Sequence, residues 1–407
     1  MRIAFLTSEF PVLSETPFLN QITGLVRRGH ELDIFADKPQ PDVPPHPDIE
    51  RLELMARTRY PMTLPREGRW VAAARMVTSH HGAERLALLR SLNPLAFWRR
   101  AWSLEQLRRS AAFLPRRHYD ICYCAFGQDA VKAARTRRTG ALDGKLVVAF
   151  RGADTTKYVA RRGPRTYART FATGALFLPV SEAFARRIIA LGAPPEKVMV
   201  HRTGIDPRRW TFRARARRSG EPLRVLTVAR LVEKKGIAYV LAALRRLIDD
   251  GESVVYDVVG DGPLRSRLVA ERDRLGLAEQ VRLHGWRTQA QVRELVDAAH
   301  VLVAASVVAA NADEEGIPNV LKEAMASGLP VLATRHGGIP ELVEDGVSGF
   351  LVPERDVGAL AERMRHLAAH PETWPALGSA GRAKVEREYD IERLNDRLVE
   401  LFEAVRG

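Results

Sequence analysis

The sequence predicts an α/β protein of two doubly wound parallel sheets, one in each half of the chain. Two observations lead there. At 407 residues the chain exceeds what one hydrophobic core supports, so about two domains are expected. Both halves also alternate short apolar runs with helical patterns, which is how parallel β-α-β units read. Composition supplies the cores, with 46% of residues hydrophobic and 28% charged. No apolar run reaches the ~18 residues of a membrane span. The opening MRIAFLTSEFPVL reads as a first strand and not as a signal peptide, because acidic and polar residues follow a short apolar run.

In the first half the candidate strands are RIAFLT, ELDIFA, YDICYC, KLVVAF and ALFLPV; in the second they are LRVLTV, VVYDVV, QVRLHG, HVLVAA and PVLAT. Helical patterns such as EAFARRIIALG and QAQVRELVDAA fill the gaps. A linker is expected at 206–222, DPRRWTFRARARRSGEP, which is polar, basic and ends in Gly and Pro. Cys122 and Cys124 stand two apart on one candidate strand, where they pair poorly, and no Cys/His cluster completes a zinc site. Both are expected as reduced strand residues of a cytoplasmic protein.

Charge is unevenly placed. Residues 1–200 hold 32 Lys and Arg against 18 Asp and Glu, whereas residues 201–407 hold 31 of each. A one-sided excess suggests that the first half faces something anionic: nucleic acid, lipid head groups or phosphorylated substrates. No nucleic-acid-binding pattern accompanies it, so nucleic acid is not expected as a partner. Residues 66–118 stand apart as a basic helical insertion in which NPLAFWRRAW sets aromatics beside arginines. An interfacial helix on an anionic membrane surface needs that mixture. The plain alternative is an insertion that packs its aromatics on the first domain.

Ligands of doubly wound sheets bind at the carboxyl ends of strands, so candidate chemistry is sought just past each strand. After LRVLTV comes ARLVEKKG, with Arg230 and Lys235 in the loop. Two such cations can hold a diphosphate, Arg by its planar fork and Lys as a point charge. After VVYDVV comes GDGPLRSRL, where Gly260 and Gly262 permit close backbone approach. After HVLVAAS comes DEEGIPNVLKEAMASGLPVL. Pro318 suits the first helical position, Glu315 precedes the helix, and Glu323 lies one to two turns inside it. The amides of Gly316 and Ile317 face the positive end of the helix dipole. Helix starts attract carboxylates, which explains Glu315 alone. It does not explain Glu323, and the acidic run repels itself unless something organises it. A carboxylate accepts two hydroxyls at once, so sugar or ribose diols are natural partners.

ARLVEKKG, VGDGPLR, EGIPNVLKEAMASGLPVLAT and GGIPELVEDGVSGFLV stand in the order and spacing of the family 4 retaining glycosyltransferases. The resemblance covers most of the chain. VSEAFARRIIALGAPPEKVMVHRTGID is similar to the end of that family's first domain. SEFPVLSETPFLNQITGLVRRGHELDIFA resembles the subgroup that builds bacterial exopolysaccharides, including colanic-acid-type enzymes. The resemblance implies the GT-B fold, two Rossmann-like doubly wound domains facing a cleft. Residues 1–205 would bind the acceptor, 206–385 a nucleotide-sugar donor, and 386–407 would form a helix crossing back to the first domain. It implies that Arg230 and Lys235 hold the donor diphosphate, Glu323 the ribose hydroxyls, and Glu315 with Gly316, Ile317, Pro318 and Asn319 the transferred sugar. Gly260 and Gly285 would lie near the base and ribose.

Two departures stand out. Many members have a glycine pair in the first loop, where this chain has Ser14, Glu15 and Thr16. Many have His in an HG-x-D motif, where this chain reads FRGAD, with Arg151 in the His position and Asp154 kept. Arg is no base near neutral pH, but it can bind phosphate or a sugar hydroxyl. The chain contains no D-x-D triplet, so metal-independent transfer is expected, with cations and a helix start stabilising the leaving phosphate. No cofactor is expected. The expected partners are a nucleotide-sugar and a saccharide or lipid-linked acceptor. The expected place is the cytoplasm, peripheral at the inner face of the plasma membrane. The rival reading is an inactive homologue acting as a membrane-associated scaffold.

Overall fold

The computed structural model describes residues 1–11, 16–40, 47–65 and 67–407. The chain divides into two compact units. Met1–Pro179, Ala185–His201 and Asn395–Gly407 form the first; Val180–Phe184 and Arg202–Leu394 form the second.

The first unit holds β1 (Arg2–Glu9), β2 (Glu31–Lys38), β3 (Thr58–Arg59), β4 (Ile121–Cys124), β5 (Lys145–Phe150) and β6 (Leu176–Pro179). The second holds β7 (Leu223–Val228), β8 (Val254–Val259), β9 (Val281–Gly285), β10 (Val301–Ala304), β11 (Val331–Thr334) and β12 (Phe350–Val352). The orders are β3-β2-β1-β4-β5-β6 and β12-β11-β10-β7-β8-β9. Every neighbouring pair is parallel. The ten expected strands are all present. β3 and β12 were not expected: β3 is two residues long, and β12 follows a run of turn glycines that hides its three apolar residues.

Parallel sheets are covered on both faces, so their strands read as nearly continuous apolar runs. Alternate residues here enter opposite cores. Ile3, Phe5, Ile121 and Tyr123 join one cluster, and Ala4, Leu6, Cys122 and Cys124 the other. Both cysteines are therefore buried on one face, and both are free. In the second unit Val225, Val301 and Val303 face one core and Leu226, Leu302 and Val331 the other.

The basic stretch 206–222 is not a solvated linker. Arg215 is buried and donates to the carbonyls of Asp297 at 2.6 Å and Ser327 at 3.3 Å. Arg217 donates to the carbonyl of Ala368 at 3.0 Å. The arginines strap this segment onto the second unit because guanidinium supplies several donors to backbone oxygens left over at helix ends.

The insertion is helical, with helices at Arg69–Ser79, Gly82–Ser91, Pro94–Phe97, Arg99–Trp102 and Glu105–Ala111. Ala73, Met76, Val77, Leu88, Leu104 and Leu107 close a small core of its own.

The last helix, Ile391–Arg406, places Leu398, Leu401 and Phe402 in the first unit's core. Phe402 is fully buried with its ring 5.5 Å from that of Tyr123. Gly24 lets the helix approach: a Cβ there would stand 2.0 Å from Asn395 Nδ2. Phe402→Ala is expected to cost the first unit about 3–5 kcal/mol, read as an earlier denaturant midpoint by circular dichroism; an unchanged midpoint would remove this helix from the unit's stability.

Candidate functional site

In the second sheet the strand sequence reverses between β7 and β10, and ligands of such sheets gather beyond the carboxyl ends at that switch point. The loops leaving β7 and β10 meet there. Gly236 has φ 62°, and a Cβ on it would stand 1.8 Å from the carbonyl oxygen of Ala305. Only glycine permits that approach. The amide of Val307 donates to the carbonyl of Lys234 at 2.9 Å.

These loops place the acidic run against lysines. Lys235 Nζ lies 2.7 Å from Glu315 Oε2, and Lys234 Nζ lies 3.1 Å from Asp313 Oδ1 and 3.6 Å from Glu315 Oε2. The self-repulsion of the run is thus cancelled by protein cations. Burial alone would raise the Glu315 carboxyl. Lys235 and Lys234, with a smaller pull from Arg230, outweigh burial and hold it at about 2. Lys234 is buried and was missed in the sequence, where nothing distinguishes it from its neighbour in EKKG. Arg230 is exposed and makes no ion pair among the described residues.

The backbone of Glu315 is held from the other side. Its N–H donates to His336 Nε2 at 2.9 Å, His336 Nδ1 lies 2.6 Å from Glu354 Oε1, and Glu354 Oε2 accepts from the amide of Val308 at 2.9 Å. An accepting Nε2 places the ring proton on Nδ1, toward the carboxylate. A Cβ on Gly337 (φ 53°) would come within 2.2 Å of the carbonyl of Glu315, and the amide of Gly338 donates to Gly316 at 3.1 Å. His336 and Glu354 lay outside the sequence reading. The signal was a His directly before the glycine pair in RHGGIPE.

The following helix is Asn319–Ala326. Pro318 is its N-cap, with φ −60° and ψ 130°, and not its first helical residue. The ring fixes φ at a helical value, but ψ stays extended, so the helix starts one residue later than expected. The amides of Gly316 and Ile317 donate to no protein acceptor among the described residues. The Oδ1 of Asn319 is taken by Lys322 Nζ at 2.8 Å; Lys322, fully buried, also donates to the carbonyl of Thr203 at 2.6 Å. Glu323 stands in the second turn, partly buried. Its carboxylate forms no hydrogen bond or ion pair among the described residues. Burial pushes it up to about 7 against the opposing pull of Lys322 and Arg293.

Gly260 (φ 129°) packs on the β7 loop, where a Cβ would stand 2.0 Å from the carbonyl of Ala229, and its amide donates to Gly285 at 2.9 Å. Thus Arg230, Lys235, Glu315, Gly316, Ile317, Gly260 and Gly285 share the carboxyl-end loops of one sheet.

Arg151 and Asp154 lie in the first unit. Arg151 donates to the carbonyl of Ala125 at 3.0 Å and to Gln21 Oε1 at 2.5 Å. Asp154 is buried and accepts from the amides of Gly127, Arg151 and Gly152 at 2.8–3.2 Å. Ser14 and Glu15 lie outside the described residues. Thr16 opens the helix Thr16–Arg27, and its side chain is likewise outside the description. Among the described residues no three His, Cys, Asp or Glu gather in a metal-holding group, and no helix is long and apolar enough to cross a membrane.

Two family models match: Glycosyltransferase Family 4 over residues 15–209 and Glycosyl transferases group 1 over residues 222–370. The chain is 34% identical over 407 residues to WcaL of Salmonella typhimurium, a glycosyltransferase assigned to colanic acid biosynthesis, covering 100% of both chains. It is 35% identical over 410 residues to the amylovoran biosynthesis glycosyltransferase AmsK of Erwinia amylovora, again covering 100% of both. Among solved structures, Anabaena HepE, crystallised with UDP and glucose, superposes with a TM-score of 0.70 at 19% identity over 99% of this chain and 100% of its own.

The two carboxylates carry opposite pH signatures. Glu315 is depressed from 4.5 to about 2, so its stabilisation is complete above pH 4.5 and is lost as pH falls toward 2. Glu323 is raised from 4.5 to about 7, so its ionisation erodes stability as pH climbs from 4.5 through 7. Glu323→Gln should therefore be more stable than wild type at alkaline pH, by up to about 3–4 kcal/mol, and level with it near pH 4.5. Scanning calorimetry across pH reads both, and a gain confined to acid would reverse the assignment.

Proposed function

The chain belongs to glycosyltransferase family 4, and from that premise we propose that it moves a sugar from a UDP- or GDP-sugar to a saccharide or lipid-linked saccharide in exopolysaccharide assembly, with retention at the anomeric carbon and without a metal ion. The observation supporting this most directly is the convergence of Arg230, Lys235 and Glu315 on the switch point of one parallel sheet. In this proposal the acceptor is met at the cytoplasmic face of the plasma membrane.

In this reading Arg230 and Lys235 bind the donor diphosphate and stabilise the charge that develops as the phosphate departs. Glu315, ionised throughout the physiological range, accepts sugar hydroxyls, and the amides of Gly316 and Ile317 donate at the positive end of the helix. Glu323 accepts the ribose hydroxyls. A carboxylate pushed up to about 7 gains most from two donated hydroxyl protons, because hydrogen bonds replace the water that burial removed. His336 keeps Glu315 in place through its backbone. The acceptor hydroxyl attacks on the face from which the nucleoside diphosphate leaves. The leaving oxygen takes the electron pair of the broken C–O bond and the acceptor's proton, so the new bond keeps the anomeric configuration. Arg151 stands where many members of this family carry His, and it would contribute charge and not base catalysis.

Three measurements test this. Turnover is expected to persist in EDTA; complete loss restored by Mn²⁺ would reject the metal-free route. Proton NMR of the product should show the donor's anomeric configuration. Glu323→Ala should weaken nucleotide binding by about tenfold or more, as removal of a charged hydrogen-bond acceptor does; unchanged calorimetric affinity, with no turnover on any UDP-, GDP- or ADP-sugar, would favour the inactive scaffold.

A further inference from the structure

We propose that the insertion's exposed apolar side chains, Leu95, Trp98, Trp102 and Trp70, seat the protein on an anionic lipid bilayer. The insertion has filled its own core, yet these side chains stay outside it. Leu95 is 97% exposed, Trp98 74%, Trp102 62% and Trp70 44%. Trp70 and Trp102, on two different helices, meet edge to face with ring centroids 6.4 Å apart. Trp98 sits at φ 42° and ψ −122° between two short helices. That backbone disfavours a bulky residue, and the ring recovers little by packing.

Cations lie beside the apolar face. Arg138 stacks on Phe97 with 5.3 Å to the ring centroid and donates to the carbonyl of Ala96 at 3.4 Å. It lines an open groove with Arg137 and Arg116, where Asp143 is the one carboxylate. Residues 66–118 hold eleven Arg, no Lys and three Glu. Guanidinium forks match phosphate oxygens, and indole rings settle at the boundary between head groups and acyl chains. Single-stranded nucleic acid also takes arginine and aromatic rings. It gives Leu95, or the exposed Leu86 and Leu89, nothing to enter. Hydrocarbon does.

This deepens the lipid-linked acceptor reading, so vesicle binding and nucleotide binding are measured separately. The intact protein is expected to co-sediment with phosphatidylglycerol-containing vesicles at low salt, to be released as salt rises, and to ignore pure phosphatidylcholine. Tryptophan emission should shift to shorter wavelength on those vesicles. Leu95→Ser with Trp98→Ser should lower affinity by about tenfold or more, and Arg137→Gln or Arg138→Gln by roughly fivefold each. Circular dichroism and the thermal shift given by a nucleotide-sugar should stay at wild-type values in all of them. Trp102→Ser, at a surface position, provides the same comparison if the double variant fails to fold. Vesicle binding that is absent, or unchanged in these variants, overturns the proposal. So does equal retention by single-stranded RNA, or a wild-type dimer that Leu95→Ser with Trp98→Ser dissolves into monomers. A nucleotide-sugar shift that is missing while vesicle binding persists counts against the catalytic reading alone.

Discussion

Glu315 is a partly buried carboxylate that stays charged because two lysines from another loop stand against it. An isolated carboxylate in that position would take up a proton or expel itself toward water. With Lys235 at 2.7 Å and Lys234 at 3.6 Å the anion is the favoured form at every physiological pH. The pairing ties the loop after β7 to the loop after β10. It also demands that the two loops approach closely, which Gly236 allows, while Gly337 lets the loop after β11 close on Glu315 from the other side. Much of the second unit's local geometry follows from keeping this charge in this place.

The same constraint explains the His336–Glu354 pair. A loop that carries a buried charge between two glycine contacts has few backbone hydrogen bonds of its own. The imidazole supplies an acceptor for the Glu315 amide, and Glu354 orients the imidazole while capping the amide of Val308. Glu323 is built on the opposite principle. It has no cation in ion-pair contact among the described residues, and burial leaves it poised near neutrality. Two carboxylates eight positions apart are thereby held in different protonation regimes, one permanently anionic and one ready to gain from hydroxyl donors.

The first unit uses charge differently. Asp154, buried, accepts from the amides of Arg151 and Gly152 in its own turn and of Gly127 in the loop after β4, and Arg151 donates to Ala125 and Gln21, so these two organise the carboxyl end of their own sheet. The insertion exposes tryptophan and leucine near arginines, whereas in 206–222 Arg215 and Arg217 turn inward to cap carbonyls.

The two parallel sheets were legible in the sequence because continuous apolar runs at strand length, spaced by amphipathic segments, permit few other folds. The family was legible because its motifs stand at strand ends, where spacing is preserved by the sheet itself. Arg230, Lys235, Glu315 and Glu323 could be picked out for the same reason. Tertiary structure alone decided what those residues touch. Lys234 and Lys235 are adjacent and identical in type, and only the turn between β7 and the next helix determines that Lys234 is buried against Asp313. His336 and Glu354 lie 18 residues apart with no periodicity linking them. Nor does any local pattern show whether an arginine meets a carbonyl or water. Sequence records which groups are available, whereas their burial and their partners, which set charge state and direction, exist only once distant loops have been brought together.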